Sequence, residues 1–359
     1  YFEEGTRPSG LVSEGVIQSW SRCVQARRDP GEHIAFNPVT PSRVHSALAR
    51  SELMLRAAAD DLVQLEHTLA GTACTACTAI LTDAHGVIVH ATQTATEPDA
   101  RLLPLARRIG VNIGEDHIGT GAPGVTIRTG QPCLVLGGEH FFGALQVLHC
   151  AAAPIRDVRG QLAAVLDLTC EGRPFGFDAA AIVTLYATTI ENQLLRAQST
   201  EHLVVQLQTT PALLGTPMEG LVGVDAHGAI AWVNNVAARL LGVAPGQPGP
   251  DAEVVFGLAT NRLAALTRGA ARAAHRLPSG LNVWLSARLQ ARDGATQPVH
   301  AVAHPPAPAT GSAEGKLRDK ADDLIARTVQ ACDGNVSKAA RQLGVSRGLV
   351  YRHLRQSSS

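Results

Sequence analysis

The densest set of residues able to do chemistry lies near the C-terminus. From Lys316 to Gln356 there are nine Lys and Arg against four Asp and Glu, in a chain whose 31 basic and 31 acidic residues cancel overall. Small and helix-capping residues punctuate the same stretch. Gly334 and Asn335 break one helix, and Ser337 is placed to cap the next. Gly344 ends that helix, because a tight corner between helices needs a residue tolerant of positive φ. Ser346 caps a third helix running through Leu354. Ala339 and Ala340 let the helices cross closely, and Leu343, Val345, Leu349, Val350 and Leu354 form the buried stripe. This is a helix-turn-helix pattern, whose last helix is shaped to enter a DNA major groove. The expected DNA-contacting residues are Ser337, Lys338, Arg341, Ser346, Arg347, Tyr351, Arg352, His353 and Arg355. Arg347 lies where base contacts concentrate, while Arg352 and Arg355 suit phosphates. The expected partner is double-stranded DNA carrying an inverted repeat, read by a homodimer or higher homo-oligomer. The plain alternative is a surface three-helix bundle with solvated arginines.

A second group of polar residues lies mid-chain. Asp116, His117, His140, Gln146, His149 and Cys150 are candidate polar liners of a small apolar cavity, of the kind that orients a small neutral organic effector. For each of them taken singly, a structural role is the plain reading. Seven cysteines over a long chain do not make a secreted disulfide framework. Cys74-x-x-Cys77 is half of a zinc motif without its second half, so no metal site is expected. Cys133, Cys150 and Cys170 lie on or beside later strands, and buried small-hydrophobe cysteine is the plain reading. The alternative function is a thiol redox enzyme, or a redox or metal sensor, using these thiols. The glycines from Gly119 to Gly124 lack the Lys-Ser/Thr of a phosphate loop, and Gly311–Leu317 is one residue short of one. No cofactor is expected.

These groups need elements to hold them. The 359 residues suggest two or three domains, with 45% hydrophobic but only 4% aromatic residues pointing to aliphatic cores. No apolar run reaches a membrane span and the first residues carry no signal-peptide pattern, so a soluble cytoplasmic protein without membrane contact is expected. Val16, Ile17, Trp20 and Val24 recur at helical spacing, and after Pro38 and Pro41 a second helical stretch runs on to Leu69. Residues 79–90 read as a hairpin around Asp83-x-x-Gly86, and residues 221–233 repeat that layout around Asp225-x-x-Gly228. Strands are expected at Cys133–Leu136, Leu145–Cys150, Gln161–Thr169 and Val283–Gln290. Asn234–Leu241 reads as a helix. A long helix from Asp178 to about Gln208 reads as a signalling or dimerisation element. The fold class is α+β multidomain: an N-terminal helical segment (1–58), a sensor domain (59–177), the helix (178–209), a second mixed domain (210–303), a Pro-rich linker (304–316) and the helix-turn-helix (317–359).

The pieces resemble a known family. Gly-Asn-x-x-x-Ala-Ala-x-x-Leu-Gly-Val-Ser-Arg-x-x-x-Tyr-Arg, from Gly334 to Arg352, is similar to the Fis-type helix-turn-helix of bacterial enhancer-binding activators. Trp20-Ser21-Arg22-Cys23 resembles the opening helix of acetoin-catabolism-regulator-type activators. Gly119-Thr120, Gly124, Gly130-x-Pro132, Glu139-His140-Phe141, Cys150 to Asp157 and Leu166-Asp167-Leu168-Thr169 resemble their GAF domain. Asp225-x-x-Gly228, Trp232-x-Asn234 and Ala237 resemble the start of a PAS domain. The resemblance implies a ligand-sensing activator of a catabolic operon, with RNA polymerase as a partner. Two departures stand out. The family's Gly-Thr-Asn-x-x-Gly-Thr-Ala-Leu is here Gly119-Thr120-Gly121-Ala122-Pro123-Gly124-Val125-Thr126-Ile127. The central ATPase module, which would span a domain of its own, is replaced by the short linker. Activation independent of the sigma-54 ATPase, or repression, is therefore the expectation.

Overall fold

The computed structural model describes residues 10, 12–70, 77–92, 100–244, 249–268, 272–290 and 296–297. All belong to the first of two compact units, Tyr1–His300 and Ala301–Ser359. The linker, the helix-turn-helix and all nine expected DNA-contacting residues lie outside the described residues, as does Cys74.

The first module is built on a five-stranded antiparallel sheet. Its strands are β1 (Cys77–Asp83), β2 (Ile88–Ala91), β3 (Cys133–Leu136), β4 (Leu148–Arg156) and β5 (Leu162–Glu171), in the order β2-β1-β5-β4-β3. Helices α1 (Glu14–Gln25) and α2 (Pro41–Ala70) precede it. The short α3 (Leu103–Ala106), α4 (Glu115–Ile118) and α5 (Ala122–Thr129) lie between β2 and β3, and α6 (Ala179–Gln198) follows β5. Strand alternation sorts the side chains into two cores. Leu81, Ala151, Ala153, Leu166 and Leu168 face α2 and α6, meeting Leu62 and Leu65 of the first and Val183 and Ile190 of the second. Ile80, Cys150, Ala152 and Val165 face the other way, toward α1, α5, Phe141 and Phe142. The sheet is therefore a middle layer with both faces covered, which accounts for its nearly uninterrupted burial.

Local signals explain the elements. Ser13 caps α1, its hydroxyl accepting from the Val16 N–H, and Asp178 caps α6 by accepting from the Ala181 N–H at 2.9 Å. Three turns use one device. Asp83 Oδ1 accepts from the His85 and Val87 amides at 2.9 and 3.0 Å. Asp157 does the same for Arg159 and Gln161, and Asp225 for His227 and Ala229. In each turn a glycine three residues on (Gly86, Gly160, Gly228) takes the positive φ that closes it.

The second module is a six-stranded antiparallel sheet. Its strands are β6 (Leu203–Gln208), β7 (Gly220–Val224), β8 (Ile230–Val233), β9 (Ala273–Arg276), β10 (Asn282–Gln290) and β11 (Thr296–Gln297). The order is β11-β10-β6-β7-β8, with β9 paired to β10. Helices α7 (Asn235–Leu241), α8 (Ala252–Phe256) and α9 (Thr260–Ala265) cover one face, with Phe256 and Leu263 at its centre. The other face presents Val204, Leu221 and Trp232 to Leu195 of α6.

Several expectations need correction. The long helix stops at Gln198, and the residues expected to continue it form β6, the central strand of the second sheet. The second module therefore begins near residue 203 and not 210. The proposed boundary at 58/59 falls inside α2, which is continuous to Ala70 and packs on the first sheet. Val24 is 51% exposed, and Cys23 completes the buried stripe of α1. Residues Leu145–Gln146 belong to a 3-10 turn and its cap, so β4 starts at Leu148 and runs on to Arg156. Among the described residues no helix is long and apolar enough to cross a membrane.

Candidate ligand-binding cavity

The sheet face toward α1 and α5 encloses a cavity. Its walls are largely apolar: Phe36, Ile80, Ile113, Ile118, Leu145 and Leu148. Counted to its open mouth, the space is about 380 Å³. Four polar side chains reach it, His140, Cys150, Asp167 and Thr169. Asp167 and Thr169 are two apart on β5 and so share a face, while Cys150 on β4 is the register partner of Thr169.

These four form a relay. The Thr169 hydroxyl lies 2.5 Å from Asp167 Oδ2 and 3.3 Å from Cys150 Sγ. Cys150 Sγ lies 3.6 Å from His140 Nε2. His140 Nδ1 is 3.0 Å from the Gly137 carbonyl. A carbonyl only accepts, so Nδ1 carries the imidazole proton and Nε2 is left to accept from the thiol. Burial pushes the His140 imidazole down to about 4, against a smaller opposing effect of the Gly137 bond, so the ring is neutral. Burial pushes the Cys150 thiol well up and the Asp167 carboxyl up to about 7, the Thr169 bond opposing the latter. Asp167 is 1% exposed, yet its Oδ1 has no hydrogen-bond partner among the described residues. A buried carboxylate oxygen without a donor is costly, in keeping with the upward shift of this carboxyl.

The residues before the cavity hold its roof. Arg22 of α1 forms a two-pronged ion pair with buried Glu115, at 2.6 Å from Nε and 2.8 Å from Nη2. The Trp20 indole donates to the Glu139 carbonyl at 2.8 Å. Ser19 and Thr120 hydroxyls meet at 2.8 Å. The Arg28 guanidinium sits 4.8 Å from the Phe142 ring centre. The glycines from 119 to 124 serve packing: a Cβ on Gly119 would lie 2.6 Å from Phe142, and one on Gly124 2.8 Å from the Glu115 backbone nitrogen.

Of the six expected cavity residues, only His140 and Cys150 line it. Asp116 is exposed and pairs with Arg128 at 3.0 Å. His117 and Gln146 are also exposed. His149 sits between Leu148 and Cys150 on β4, so it faces the opposite side of the sheet. Asp167 and Thr169 were not expected there. The signal that could have found them is two polar residues at i and i+2 among apolar neighbours on β5. Among the described residues no group of three or more His, Cys, Asp or Glu is placed to hold a metal. Cys23, Cys77, Cys133 and Cys150 form no disulfide. Burial raises the thiols of Cys23, Cys133 (to about 11) and Cys150, which keeps them protonated and weakly nucleophilic. That environment argues against the thiol redox alternative.

Residues 3–192, which hold the first sheet, α1 to α5 and most of α6, match the family model "MimR, N-terminal domain". The chain belongs to this family. Residues 322–356 match "Bacterial regulatory protein, Fis family". The acetoin catabolism regulatory protein of Cupriavidus necator is 32% identical over 247 residues, covering 67% of this chain and 36% of that protein. The propane 2-monooxygenase operon transcriptional activator MimR of Mycolicibacterium smegmatis is 28% identical over 177 residues, covering 48% and 28%. The chain thus spans about a third of the length of these relatives. Both are regulators by name, as the resemblance to acetoin-catabolism-regulator-type activators implied. A solved complex of Escherichia coli DhaR(N) with DhaL aligns with 80% of this chain and 100% of that one, at 17% identity and a TM-score of 0.46.

Proposed function

We propose that this MimR-family chain is a ligand-responsive, DNA-binding transcriptional regulator of a catabolic operon and not an enzyme. The observation that carries this reading is the Fis-family match at residues 322–356, joined in one chain to a sensor-like module. The regulator names of the relatives support it. The first module reads as a GAF-type sensor and the second as a PAS-like unit. The cavity is the effector site, taking a small organic molecule.

Ser337, Lys338, Arg341, Ser346, Arg347, Tyr351, Arg352, His353 and Arg355 contact DNA. Fis-type modules pair to read inverted half-sites about one helical turn apart, so the working form is a homodimer or higher. Residues 298–321 are all that separates the last described strand from the Fis match. That is far short of the roughly 100–200 residues of a domain, so regulation acts through RNA polymerase without a sigma-54 ATPase in this segment. A DNA target places the protein in the cytoplasm.

The test is an electrophoretic shift of the full chain on DNA from its own promoter region. Binding is expected to weaken steeply with salt, since each phosphate contact releases a counterion. Arg352→Ala is expected to reduce the slope of log K against log salt by about 1. Absence of any shift at low salt refutes the DNA reading.

A further inference from the structure

Two cysteines face each other across the first sheet, on the side away from the cavity. Cys77 opens β1, Cys170 lies next to the end of β5, and the two are register partners. Both are buried in the core that α2 and α6 cover. In the structure Cys77 is a thiol. The kind of strand pairing decides what the two sulfurs can do. The Ala79 amide donates to the Thr92 hydroxyl at 3.0 Å, and the Ala79 carbonyl accepts from the Thr92 N–H at 2.9 Å. Backbone groups alternate in direction along a strand, so Cys77, two residues earlier, also turns its N–H and C=O away from β5. On the other strand the Gly172 N–H donates to the Val147 carbonyl at 2.8 Å, so Cys170 turns its own toward β4. Cys77 and Cys170 are therefore a non-hydrogen-bonded antiparallel pair, the kind that brings Cα atoms to about 4.5 Å. That lies at the short end of the separations, about 4.4–6.8 Å, that a disulfide spans. We propose that Cys77 and Cys170 are a latent cross-strand disulfide, closed by a hydroperoxide and reopened by a thiol reductant, that locks the sheet of the first module.

The row that holds the pair also supplies a base. His149 is the β4 register partner of Cys170, so Leu136, His149, Cys170 and Cys77 cross the sheet on one face. The His149 imidazole is half-buried, burial pushes its pKa below the ordinary value, and its Nδ1 has no hydrogen-bond partner among the described residues. A neutral imidazole has one nitrogen able to accept a proton. Leu136 is exposed at the sheet edge, so this end of the row is open to a small oxidant. The Cys170 thiol passes its proton to His149, and the thiolate sulfur attacks one peroxide oxygen. An S–O bond forms, the O–O bond breaks, and the leaving oxygen takes the proton from His149. The Cys77 sulfur then attacks the sulfenic sulfur of Cys170. An S–S bond forms, the S–O bond breaks, and that oxygen leaves as water with the Cys77 proton. Two thiols are oxidised and one peroxide is reduced. The link closes a loop of roughly 90 residues, which removes much of the chain entropy of the unfolded state. Cys150, on the cavity face, takes no part, and nothing is turned over, so the pair is a switch and not an enzyme. The inference stands whether or not the cavity holds an effector.

The experiment uses the full chain, reduced and then freed of reductant, with hydrogen peroxide as the probe. Remaining thiols are alkylated, and the unreduced digest is mapped by mass spectrometry. The expected product is a peptide pair joined from Cys77 to Cys170, two hydrogens lighter than the separate peptides and parted again by dithiothreitol. The melting midpoint, read by Trp20 fluorescence with Trp232 and Trp284 replaced by Phe, is expected to rise by about 10 °C on oxidation and to return on reduction. Cys170→Ala is expected to show no such rise. Cys74 precedes Cys77 by three residues in the sequence, so Cys74→Ser is the control, in which the same link and the same rise are expected. A map that joins Cys74 to Cys77 or to Cys170, or loss of the link in Cys74→Ser, refutes the pair. Sulfinic acid at Cys77 or Cys170 without a link refutes the strand geometry argued for them. A link formed without a rise in the midpoint refutes the lock. A protein that peroxide leaves unlinked refutes the inference outright. The map of the natural protein decides the matter even where Cys170→Ala does not fold.

Discussion

Replacing Asp167 by Asn is expected to remove most of one pH dependence of stability. Burial raises the Asp167 carboxyl from 3.8 to about 7. The folded state therefore holds this proton more tightly than the unfolded chain. Between those two values the native protein binds more protons than the denatured one, so stability falls as pH rises. At 1.36 kcal/mol per pH unit the full effect is about 4 kcal/mol, and about 3 kcal/mol of it falls between pH 5 and pH 8. His140, held down to about 4 by burial, takes up a proton on unfolding at pH 5 and so pulls the other way, but it does so in both proteins and cancels in the comparison, while the Cys150 thiol is pushed up, out of the range. Glu191, also raised to about 7 by burial, contributes equally to both proteins and cancels in the comparison. The assay is urea denaturation from pH 5 to pH 8, read by Trp20 fluorescence with Trp232 and Trp284 replaced by Phe. Trp20 is buried beside the cavity roof and reports the first module. Asp167→Asn, an isostere of the neutral carboxyl, is expected to exceed the parent by about 2 kcal/mol at pH 5 and by about 4 kcal/mol at pH 8. Parallel pH profiles for the two proteins would refute the burial argument.

Two further substitutions follow from buried polar pairs. Arg22→Ala leaves the Glu115 carboxylate, 5% exposed, without its guanidinium. The loss is expected to be about 3 kcal/mol, at the low end for a broken buried pair because Arg22 itself is a third exposed, and is read from the same urea midpoint. Asn234→Ala removes the cap of α7 together with bonds to the Leu221 amide, the Glu219 carbonyl and Asn192. A cost of about 2–3 kcal/mol is expected by urea denaturation followed at Trp232, with Asn234→Asp intermediate because it keeps the acceptor and loses the donors.

Much of the fold is legible in the sequence where chemistry and geometry coincide. The Asp-x-x-Gly turns are legible because a carboxylate that accepts two amides and a glycine at positive φ are needed together. The capped helices α1 and α7 follow from Ser13 and Asn234 for the same reason. β6 is not legible as a strand. Every residue from Leu203 to Gln208 is buried, so the alternation that marks a strand is missing, and Val204 and Leu207 also fit a helical stripe. In the cavity, His140 and Cys150 were accessible through their residue types. Asp167 was hidden because an acidic residue flanked by leucines reads as surface until the second sheet face is known to be covered. Asp116 and His117 misled in the opposite sense: both are chemically apt, but α4 turns them outward.

The dual attachment of α6 sets where this protein can be cut. Its Val183 and Ile190 complete the core of the first module, while Leu195 shields Trp232 of the second. Asn192 and Arg196 on the same helix hold Asn234, the Pro217 carbonyl and Glu219. A sensor fragment ending at residue 177 would strip a wall from its own core. A fragment starting at residue 203 would leave the indole of Trp232 bare to water. Dissection of the two modules succeeds only if the rod travels with the first and the indole face of the second is given a polar surface.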